Sequence, residues 1–469
     1  MSIKKNIFYN ITYQILTMII PLITTPYIAR VIGAKGVGIQ SYSMAIVNYF
    51  ILFSMLGLNN YGNRSIAIVR NDKKKLNRVF WEIYSMQFLV SLLMILLYFS
   101  YVCYFITDNK IIFILQGINL FATMLDINWL FFGLEKFKIT VTRNLIIKMT
   151  SVICIFVFVK GAEDLWIYVL ISAVSVLLSQ IILWIILFRY INLVKIRIKD
   201  ILVHVKPNLI LFIPIAAVSI YKVMDKIMLG KMAGMNQVGY YENTEKIINI
   251  PNGIIIALGT VMLPRISNLM GRGHYEKSEK YMRLSMLFAM FISIGSMFGL
   301  IGVTDVFIPI FLGKDFTECI RLTNIISITI IFIAWSNVLR TQYLIPKKKD
   351  NIYIVSTILG GIINLVINLL LINKYGVIGA AVGTIIAEFT VAFYQTIKIK
   401  NDINIYVYLK EISVFLIPGI IMLILIKIIG YYTNLNIITA LIQVVIGGIV
   451  YVLLSGIGVY FLLKKQHSN

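Results

Sequence analysis

The feature that most constrains this chain is a series of long apolar segments that recurs along its whole length. Fourteen such segments lie at about 8–32, 37–60, 80–105, 110–132, 143–160, 165–189, 207–232, 238–264, 281–304, 319–345, 352–373, 377–396, 408–430 and 436–463. An apolar stretch of about twenty residues is long enough to cross a bilayer as a helix. The mean hydropathy of +0.88 supports this class. The sequence therefore predicts an all-α polytopic membrane protein with about 14 transmembrane helices.

Basic residues are distributed unevenly between alternate connections. When the N-terminus is taken as cytoplasmic, the connections on that side contain 29 Lys and Arg residues and those on the other side contain six. Positive charge accumulates in cytoplasmic loops, so this tally predicts an even number of spans with both termini in the cytoplasm. It also explains the net charge of +23 by topology and by attraction to membrane lipids. We therefore expect no nucleic-acid partner.

The chain contains two copies of one pattern at an offset of 201 residues. The stretch "ARVIGAKGVG" (29–38) aligns with "GKMAGMNQVG" (230–239). The aligned pairs are Arg30 with Lys231, Gly33 with Gly234, Asn48 with Asn249 and Arg64 with Arg265. Six spans separate the copies, and an even number preserves topology, so we expect two six-helix lobes related as parallel repeats. The predicted regions are the N-lobe at 1–190, a cytoplasmic linker at 191–206, the C-lobe at 207–397, and two extra C-terminal helices with the tail at 398–469.

Charged residues inside the predicted spans form two clusters at helical spacing. Span seven carries one cluster and span eight carries the other with the signs reversed, and their members are Lys222, Asp225, Lys226, Glu242, Glu245 and Lys246. Charges at membrane depth are costly and avoid lipid. They could form ion pairs that stabilise a lobe, or they could line a cationic central cavity. A diphosphate-bearing lipid would need the second arrangement, and its predicted headgroup path consists of Arg30, Lys222, Lys226, Lys246, Arg340, Arg64 and Arg265.

Acidic residues within apolar spans are candidates for ion coupling. Asp126 and Glu388 stand alone in their spans, and burial can raise the pKa of such a carboxyl group towards neutrality. Proton or sodium coupling through them is one interpretation, and a polar group satisfied within a helix interface is the other. The acids of the charged clusters complete the candidate set for coupling, which is Asp126, Glu388, Asp225, Glu242 and Glu245.

Prolines within the spans are candidates for gates or hinges, because proline interrupts helical hydrogen bonding. The candidates are Pro21 and Pro26 in span one and Pro251 in span eight. Proline is also common in membrane helices without such a role.

The sequence contains no P-loop, and its three histidines lie far apart without metal spacing. We therefore expect a carrier that works by alternating access, with no metal site, no cofactor and no enzymatic activity.

Three stretches resemble a known family. They are "TTPYIARVIGAKGVGIQSYSMAIVNYF" (24–50), "VGYYENTEKIINIPNGIIIALGTVMLPRISNL" (238–269) and "YGVIGAAVGTIIAEF" (375–389). They are similar to the Wzx-type polysaccharide repeat-unit flippases of the multidrug/oligosaccharidyl-lipid/polysaccharide exporter superfamily. The likeness extends over most of the chain. Arg30 in "PYIAR" is the one residue whose place in the path the motif itself supports.

The resemblance implies a flippase in a bacterial inner membrane. Members of the family move undecaprenyl-diphosphate-linked oligosaccharide units from the cytoplasmic to the outer leaflet, for O-antigen, capsule or similar polymers. Transport would then be coupled to H⁺ or Na⁺, and the protein would cooperate with a polysaccharide polymerase and chain-length partners. Because one chain with two lobes can form a complete pathway, we expect a functional monomer.

Other functions remain open at this stage. A lipid II flippase of the same superfamily would share the topology and the cationic cavity. A drug/cation antiporter of that superfamily would usually have twelve spans and an acid-rich cavity, and this chain departs from both features. A polytopic glycosyltransferase or polymerase would carry large extracytoplasmic loops, whereas the predicted outer connections are short.

Overall fold

The computed structural model describes residues 3–467, with side chains throughout except at 3–19, 213–215, 217–218, 220–222, 463 and 465–467. Within this range every regular element is a helix and no strand is present. The predicted all-helical fold is therefore confirmed. The chain divides into two compact units, Met1–Gly230 and Lys231–Asn469.

Long helices and short broken ones alternate in the first unit. Its described α-helices are α1 (Ile3–Met55), α2 (Leu58–Val69), α3 (Lys73–Phe105), α4 (Lys110–Gln116), α5 (Ile118–Met124), α6 (Asn128–Gly133), α7 (Phe137–Phe158), α8 (Leu165–Leu187), α9 (Ile198–Leu202) and α10 (Val205–Met232). The predicted fourth span is thus three consecutive short helices. The region predicted as a linker contains α9 and the first residues of α10.

The second unit has a similar alternation. Its described α-helices are α11 (Met235–Gly271), α12 (Tyr275–Phe311), α13 (Glu318–Ile326), α14 (Thr329–Leu339), α15 (Asp350–Tyr375), α16 (Val377–Ile399), α17 (Ile405–Ile412), α18 (Leu416–Tyr432) and α19 (Ile437–His467). A π-helical turn at Arg340–Leu344 follows α14. Helices α18 and α19 correspond to the two predicted extra spans, and both pack against α12, where Val303, Met422, Ile426 and Tyr451 form a buried cluster.

Twelve stretches of the described chain are long and apolar enough to cross a membrane. One of them, Ile20–Val69, is 50 residues long and joins the first two predicted spans. Helix α10 covers the predicted seventh span, although several of its side chains are not described. The predicted count of fourteen is compatible with this set and stays a prediction, as do the lobe boundaries and the orientation.

The surfaces of the long helices are apolar where they face away from the protein. On α3, Leu93 and Leu96 are 52% and 60% exposed, and on α19 Val444 and Val445 are 57% and 56% exposed. A soluble monomer rarely exposes a continuous apolar surface of this extent. These surfaces match a hydrocarbon environment, so the chain is a multi-pass membrane protein.

Two glycines bend the chain at equivalent places in the two units. Gly33 interrupts α1 with φ 74° and ψ 174°, and Gly234 precedes α11 with φ 93° and ψ 168°. This region of backbone space is essentially restricted to glycine. The two residues are partners in the alignment at an offset of 201. The repeat in the sequence therefore corresponds to a repeated backbone conformation.

Candidate functional site

The predicted cations near helix ends are accessible. Arg30 is exposed on α1, one turn before the bend at Gly33. Arg64 is exposed on α2 and its repeat partner Arg265 is exposed on α11. The guanidinium carbon of Arg265 lies 5.4 Å from the ring centre of Tyr281, whose hydroxyl group is 3.5 Å from Nη2. Side chains in these positions can contact an anion in the surrounding water or at the membrane surface.

The charged cluster of span seven is divided between buried and accessible positions. Asp225 is 4% exposed and interacts electrostatically with Tyr49 of α1. Lys226, the next residue of α10, is half-buried. The side chain of Lys222 lies outside the described residues. Asp225 is therefore packed inside the first unit.

The charged cluster of span eight contains a local ion pair. Lys246 Nζ lies 3.3 Å from Glu242 Oε1, one helical turn away on α11, and Glu245 is half-buried beside them. Such i, i+4 pairs stabilise a helix modestly. The contact neutralises Lys246 locally, as the ion-pair interpretation of the sequence expects.

Arg340 begins the π-helical turn after α14. Its guanidinium carbon lies 5.3 Å from the ring centre of Tyr353, and Nη1 is 3.4 Å from the Tyr353 hydroxyl group. Its Nε, Oδ1 of Asn337 and both amide atoms of Gln342 are buried without a hydrogen-bond partner in the described part of the chain. Turns of this kind occur frequently at functional sites. Several polar groups are thus concentrated near the end of α14.

Asp126 is not isolated within a continuous helix, as the sequence suggested. It lies between α5 and α6, and its Oδ1 accepts hydrogen bonds from the backbone N (2.8 Å) and side-chain Nδ2 (2.7 Å) of Asn128. Nη2 of the buried Arg143 donates to Asn128 Oδ1 at 3.0 Å. The prediction of an isolated acid is wrong, because Asp126 lies between two short helices and its carboxylate forms a local turn with Asn128. Of the other acid singled out by the sequence, Glu388 is half-buried on α16.

The contacts that support this region were not predicted from the sequence. Gln87 on α3 donates from Nε2 to the backbone oxygens of Thr123 (2.9 Å) and Asp126 (2.8 Å), and its Oε1 accepts from Trp129 Nε1 at 3.0 Å. The Asp-X-Asn spacing at 126–128 is a local signal for the turn between Asp126 and Asn128. The roles of Gln87 and Arg143 depend on tertiary proximity and have no comparable signal.

A second missed network surrounds His204, in the segment predicted as a linker. His204 is 8% exposed, and its Nε2 lies 3.0 Å from Glu82 Oε2 while its Nδ1 lies 2.6 Å from the Tyr61 hydroxyl group. Arg78 binds Glu82 at 2.7 Å and Asp200 at 3.2 Å. The segment before α10 is therefore fixed to α2 and α3 by polar contacts.

The predicted hinge prolines lie within helices. Helix α1 continues through Pro21 and Pro26, and its non-helical residue is Gly33. Pro251 lies inside α11 and lines an apolar groove of about 410 Å³ between α11, α12, α18 and α19. Gly299 of α12 and Gly448 of α19 also line this groove. No group of three or more potential metal ligands occurs among the described residues.

Comparison with known proteins identifies the family. Residues 3–270 match the family model described as polysaccharide biosynthesis protein. A Shigella dysenteriae protein named as a candidate O-antigen transporter is 26% identical over 401 residues, which cover 85% of this chain and 100% of that protein. The capsular polysaccharide biosynthesis protein CapF of Staphylococcus aureus is 24% identical over 405 residues, covering 84% of this chain and 99% of CapF.

A solved structure shows the same fold. The lipid II flippase MurJ in an inward closed conformation superposes with a TM-score of 0.79 at 18% identity, covering 97% of this chain and 100% of that chain. At this identity the likeness shows the fold alone. Together with the family match, which covers more than half of the chain, it confirms the resemblance that the three sequence stretches indicated. The chain belongs to the polysaccharide biosynthesis protein family of multi-pass membrane proteins.

Proposed function

We propose that this protein is a flippase for lipid-linked oligosaccharide repeat units. It moves undecaprenyl-diphosphate-linked oligosaccharide from the cytoplasmic to the outer leaflet of a bacterial cytoplasmic membrane, for the synthesis of a surface polysaccharide such as O-antigen or capsule. The observation that carries this proposal is the family match, which is accompanied by alignment with an O-antigen and a capsule protein over nearly their whole lengths. The chain is a transporter and not an enzyme.

The cationic side chains support a substrate with an anionic headgroup. A diphosphate cannot cross hydrocarbon unaided, and Arg or Lys supplies the counter-charge. Arginine does so at the lower desolvation cost, because its guanidinium group is more weakly hydrated than an ammonium group. Arg30, Arg64 and Arg265 are exposed, and Arg340 is half-buried with an Nε–H that donates to no acceptor among the described residues. With Lys222, Lys226 and Lys246 they form the proposed headgroup path. Neutralisation by Glu242 makes Lys246 the weakest member of this set.

The apolar groove lined by Pro251 supports a substrate with a hydrocarbon tail. It is formed at membrane depth by helices of the second unit, and its lining is almost entirely aliphatic and aromatic. A groove of this chemistry gives an extended isoprenoid chain more contact area than a flat helix surface does. In this proposal the tail stays in hydrocarbon while the headgroup crosses.

Transport proceeds by alternating access and is driven by an ion gradient of H⁺ or Na⁺. The candidate coupling acids are Asp126, Glu388, Asp225, Glu242 and Glu245, and the proposed hinges are Pro21, Pro26 and Pro251. Both termini lie in the cytoplasm and one chain suffices for transport. A polysaccharide polymerase and chain-length regulators would act on the product.

The test of this proposal is transport in proteoliposomes. A polyprenyl-diphosphate-linked oligosaccharide is incorporated with the purified protein, and an impermeant glycosidase added outside digests only the outward-facing sugar. We expect the protected fraction to disappear with the protein and to persist with heat-inactivated protein. An imposed pH or sodium gradient should accelerate the loss. Persistence of the protected fraction with correctly folded protein would contradict the proposal.

The alternative substrate is lipid II, the substrate in the name of MurJ, whose fold this chain shares. The same vesicles containing both lipids give the comparison directly. We expect an excess of the oligosaccharide lipid to slow the entry of labelled lipid II into the outer leaflet more strongly than the reverse. If lipid II moves faster and competes better, the protein is a peptidoglycan-precursor flippase.

A further inference from the structure

A basic cavity of about 590 Å³ lies at the turn between α11 and α12. The residues whose charge or ring shapes it are Arg265, Arg272, His274, Lys277, Lys280 and Tyr281. No carboxylate lines it, although α12 carries the exposed Glu276 and Glu279 in its first turns. The connection that holds this cavity is one of those predicted to be cytoplasmic.

The four Arg and Lys side chains of this cavity are unpaired. No ion pair within 4.0 Å joins any of them to a carboxylate in the part of the chain that the structure describes. Four cations that line one cavity and form no ion pair repel one another, and an anion bound between them relieves this repulsion. The arrangement thus has an electrostatic reason to take up a negatively charged group.

The corresponding turn of the first unit provides an internal comparison. It joins α2 and α3, and the offset of 201 aligns Arg64 there with Arg265. Three of its cations are paired with acids, in the contacts Arg70–Glu135 (2.5 Å), Arg78–Glu82 (2.7 Å), Arg78–Asp200 (3.2 Å) and Lys75–Asp72 (3.5 Å). Topology alone explains basic residues at both turns. It does not explain why ion pairs form at the first turn while, among the described residues, none joins the four cations that line the cavity to a carboxylate.

The acids that neutralise the first turn are replaced in the second. At the offset of 201, Asp72 aligns with Gly273 and Glu82 aligns with Arg283. Arg283 in turn forms two hydrogen bonds with the buried Glu411 of α17 and so does not line the cavity. Of the first turn's Arg and Lys residues, only Arg64 aligns with another at this offset, Arg265. The other cavity cations have no basic counterpart in the first turn, since Arg272, Lys277 and Lys280 align with Asn71, Leu76 and Val79.

The geometry of the cavity suits phosphate oxygens. The guanidinium group of Arg265 is held over the ring of Tyr281, which limits its freedom before a ligand arrives. Helix α12 begins at Tyr275, beside the cavity, and its N-cap residue His274 makes no side-chain cap. The free N–H groups of a helix N-terminus favour an anion. Arginine adds paired donors that match phosphate.

We propose that this basic cavity binds the phosphate or diphosphate headgroup of a membrane lipid. Two lipids could supply that chemistry: an anionic phospholipid of the surrounding membrane, or the diphosphate lipid that the protein transports. The second source rests on the proposed function. In that case the cavity is the first contact of the headgroup on the predicted cytoplasmic side, before translocation.

The experiment uses the full-length protein in phosphatidylcholine nanodiscs. Binding of farnesyl diphosphate is measured, with farnesol as the uncharged comparison, and phosphatidylglycerol is titrated in a second series. The test variant is Arg272→Gln/Lys277→Gln. The matched control is Lys73→Gln/Lys74→Gln, which removes the same charge from exposed positions in the equivalent turn of the first unit.

We expect the cavity variant to weaken anionic lipid binding at least tenfold and the control to change it less than twofold. Loss of farnesyl diphosphate binding would show that the cavity binds the class of diphosphate lipid that the protein transports. Loss of phosphatidylglycerol binding alone would show that it binds membrane phospholipid. Equal effects of the two variants on both lipids, or no effect of either, would overturn the proposal. Arg272→Lys/Lys277→Arg keeps the charge and should restore binding, which excludes misfolding as the cause.

Failure of the proposed function would look different. If wild-type protein binds the anionic lipid in the cavity but moves no oligosaccharide lipid in vesicles, the result supports the lipid site in the cavity and contradicts the proposed flippase function. If transport occurs and the cavity variant binds the anionic lipids as wild type does, the result supports the flippase function and shows that the cavity does not bind the headgroup.

Discussion

At the scale of single residues, the repeat is clearest at two glycines with similar backbone angles, and it is less clear at the charged side chains. Gly33 and Gly234 have no atom within 4 Å of the position that a Cβ would occupy. Space is therefore available for a side chain at both positions, and the requirement for glycine comes from the backbone angles alone. A bend set by φ and ψ depends on the residue itself, and this explains why both copies of the pattern keep glycine.

Substitution of either glycine by alanine should destabilise the protein. The strained backbone region costs on the order of 1–3 kcal/mol for a residue with a side chain, so Gly33→Ala and Gly234→Ala should each lower the thermal unfolding temperature in detergent. Gly161→Ala is the matched control, because Gly161 is also open to solvent on its Cβ side but has φ −145°, which any residue adopts. Equal unfolding temperatures for all three variants would contradict the backbone explanation.

Asp126 illustrates how a residue can be singled out correctly and placed in the wrong environment. Its spacing to Asn128 is visible in the sequence, but the apolar residues that form the short helices α4, α5 and α6 predict one continuous span. We expect Asp126→Ala to lower stability by about 1–2 kcal/mol, because the backbone N–H and the side-chain amide of Asn128 both lose their acceptor. Asp126→Asn keeps an acceptor oxygen and should stay within a few tenths of a kcal/mol of wild type.

The same pair of variants tests ion coupling. Chemical denaturation measures stability, and transport with and without an ion gradient measures coupling. Retention of gradient-driven acceleration in Asp126→Asn would assign Asp126 to structure. Loss of that acceleration with unchanged stability would instead assign the coupling charge to this carboxyl group, against the expectation from its hydrogen bonds.

At the scale of elements, the apolar groove between α11, α12, α18 and α19 offers a direct test of the hydrocarbon path. Gly448 lines the groove, and an added Cβ there meets no atom within 4 Å. Gly448→Phe should fill the groove and reduce transport of a long-chain lipid severalfold. Phenylalanine also has a higher helix propensity than glycine, by a few tenths of a kcal/mol, so folding should not suffer.

Gly456→Phe is the control for the groove. Gly456 lies on the same helix, also meets no atom within 4 Å, and does not line the groove. Its variant should transport like wild type. Equal transport by the two variants, with equal amounts in the membrane, would show that the lipid tail does not use this groove.

The sequence predicted helices well and their interruptions poorly. Apolar length alone locates the long helices, because burial in hydrocarbon demands it. It cannot reveal that the predicted fourth span is three helices or that a π-helical turn follows α14, because these interruptions depend on capping and packing partners elsewhere in the chain. The pair of Lys246 and Glu242 was predictable from i, i+4 spacing, whereas the contact of His204 with Glu82 joins residues 122 positions apart.

At the scale of the whole molecule, the sequence repeat and the division into two compact units describe related features of the chain. The turn between α2 and α3 and the turn between α11 and α12 have the same place in the repeat but different charge contacts. Three cations of the first are paired with Asp72, Glu82, Glu135 and Asp200, whereas among the described residues the four cations that line the cavity at the second form no ion pair with a carboxylate. A shared backbone pattern thus carries different side-chain charge in the two units.

The final prediction concerns how many chains form a working transporter. Because each chain contains both units of the repeat, a single copy should suffice. In vesicles reconstituted at decreasing protein-to-lipid ratios, copies distribute at random, and the fraction of vesicles that lose protected substrate depends on the number of copies required. We expect this fraction to follow the probability that a vesicle contains at least one copy. A steeper dependence, matching vesicles with two or more copies, would show that transport needs an oligomer, and chemical cross-linking of the same vesicles would then identify its size.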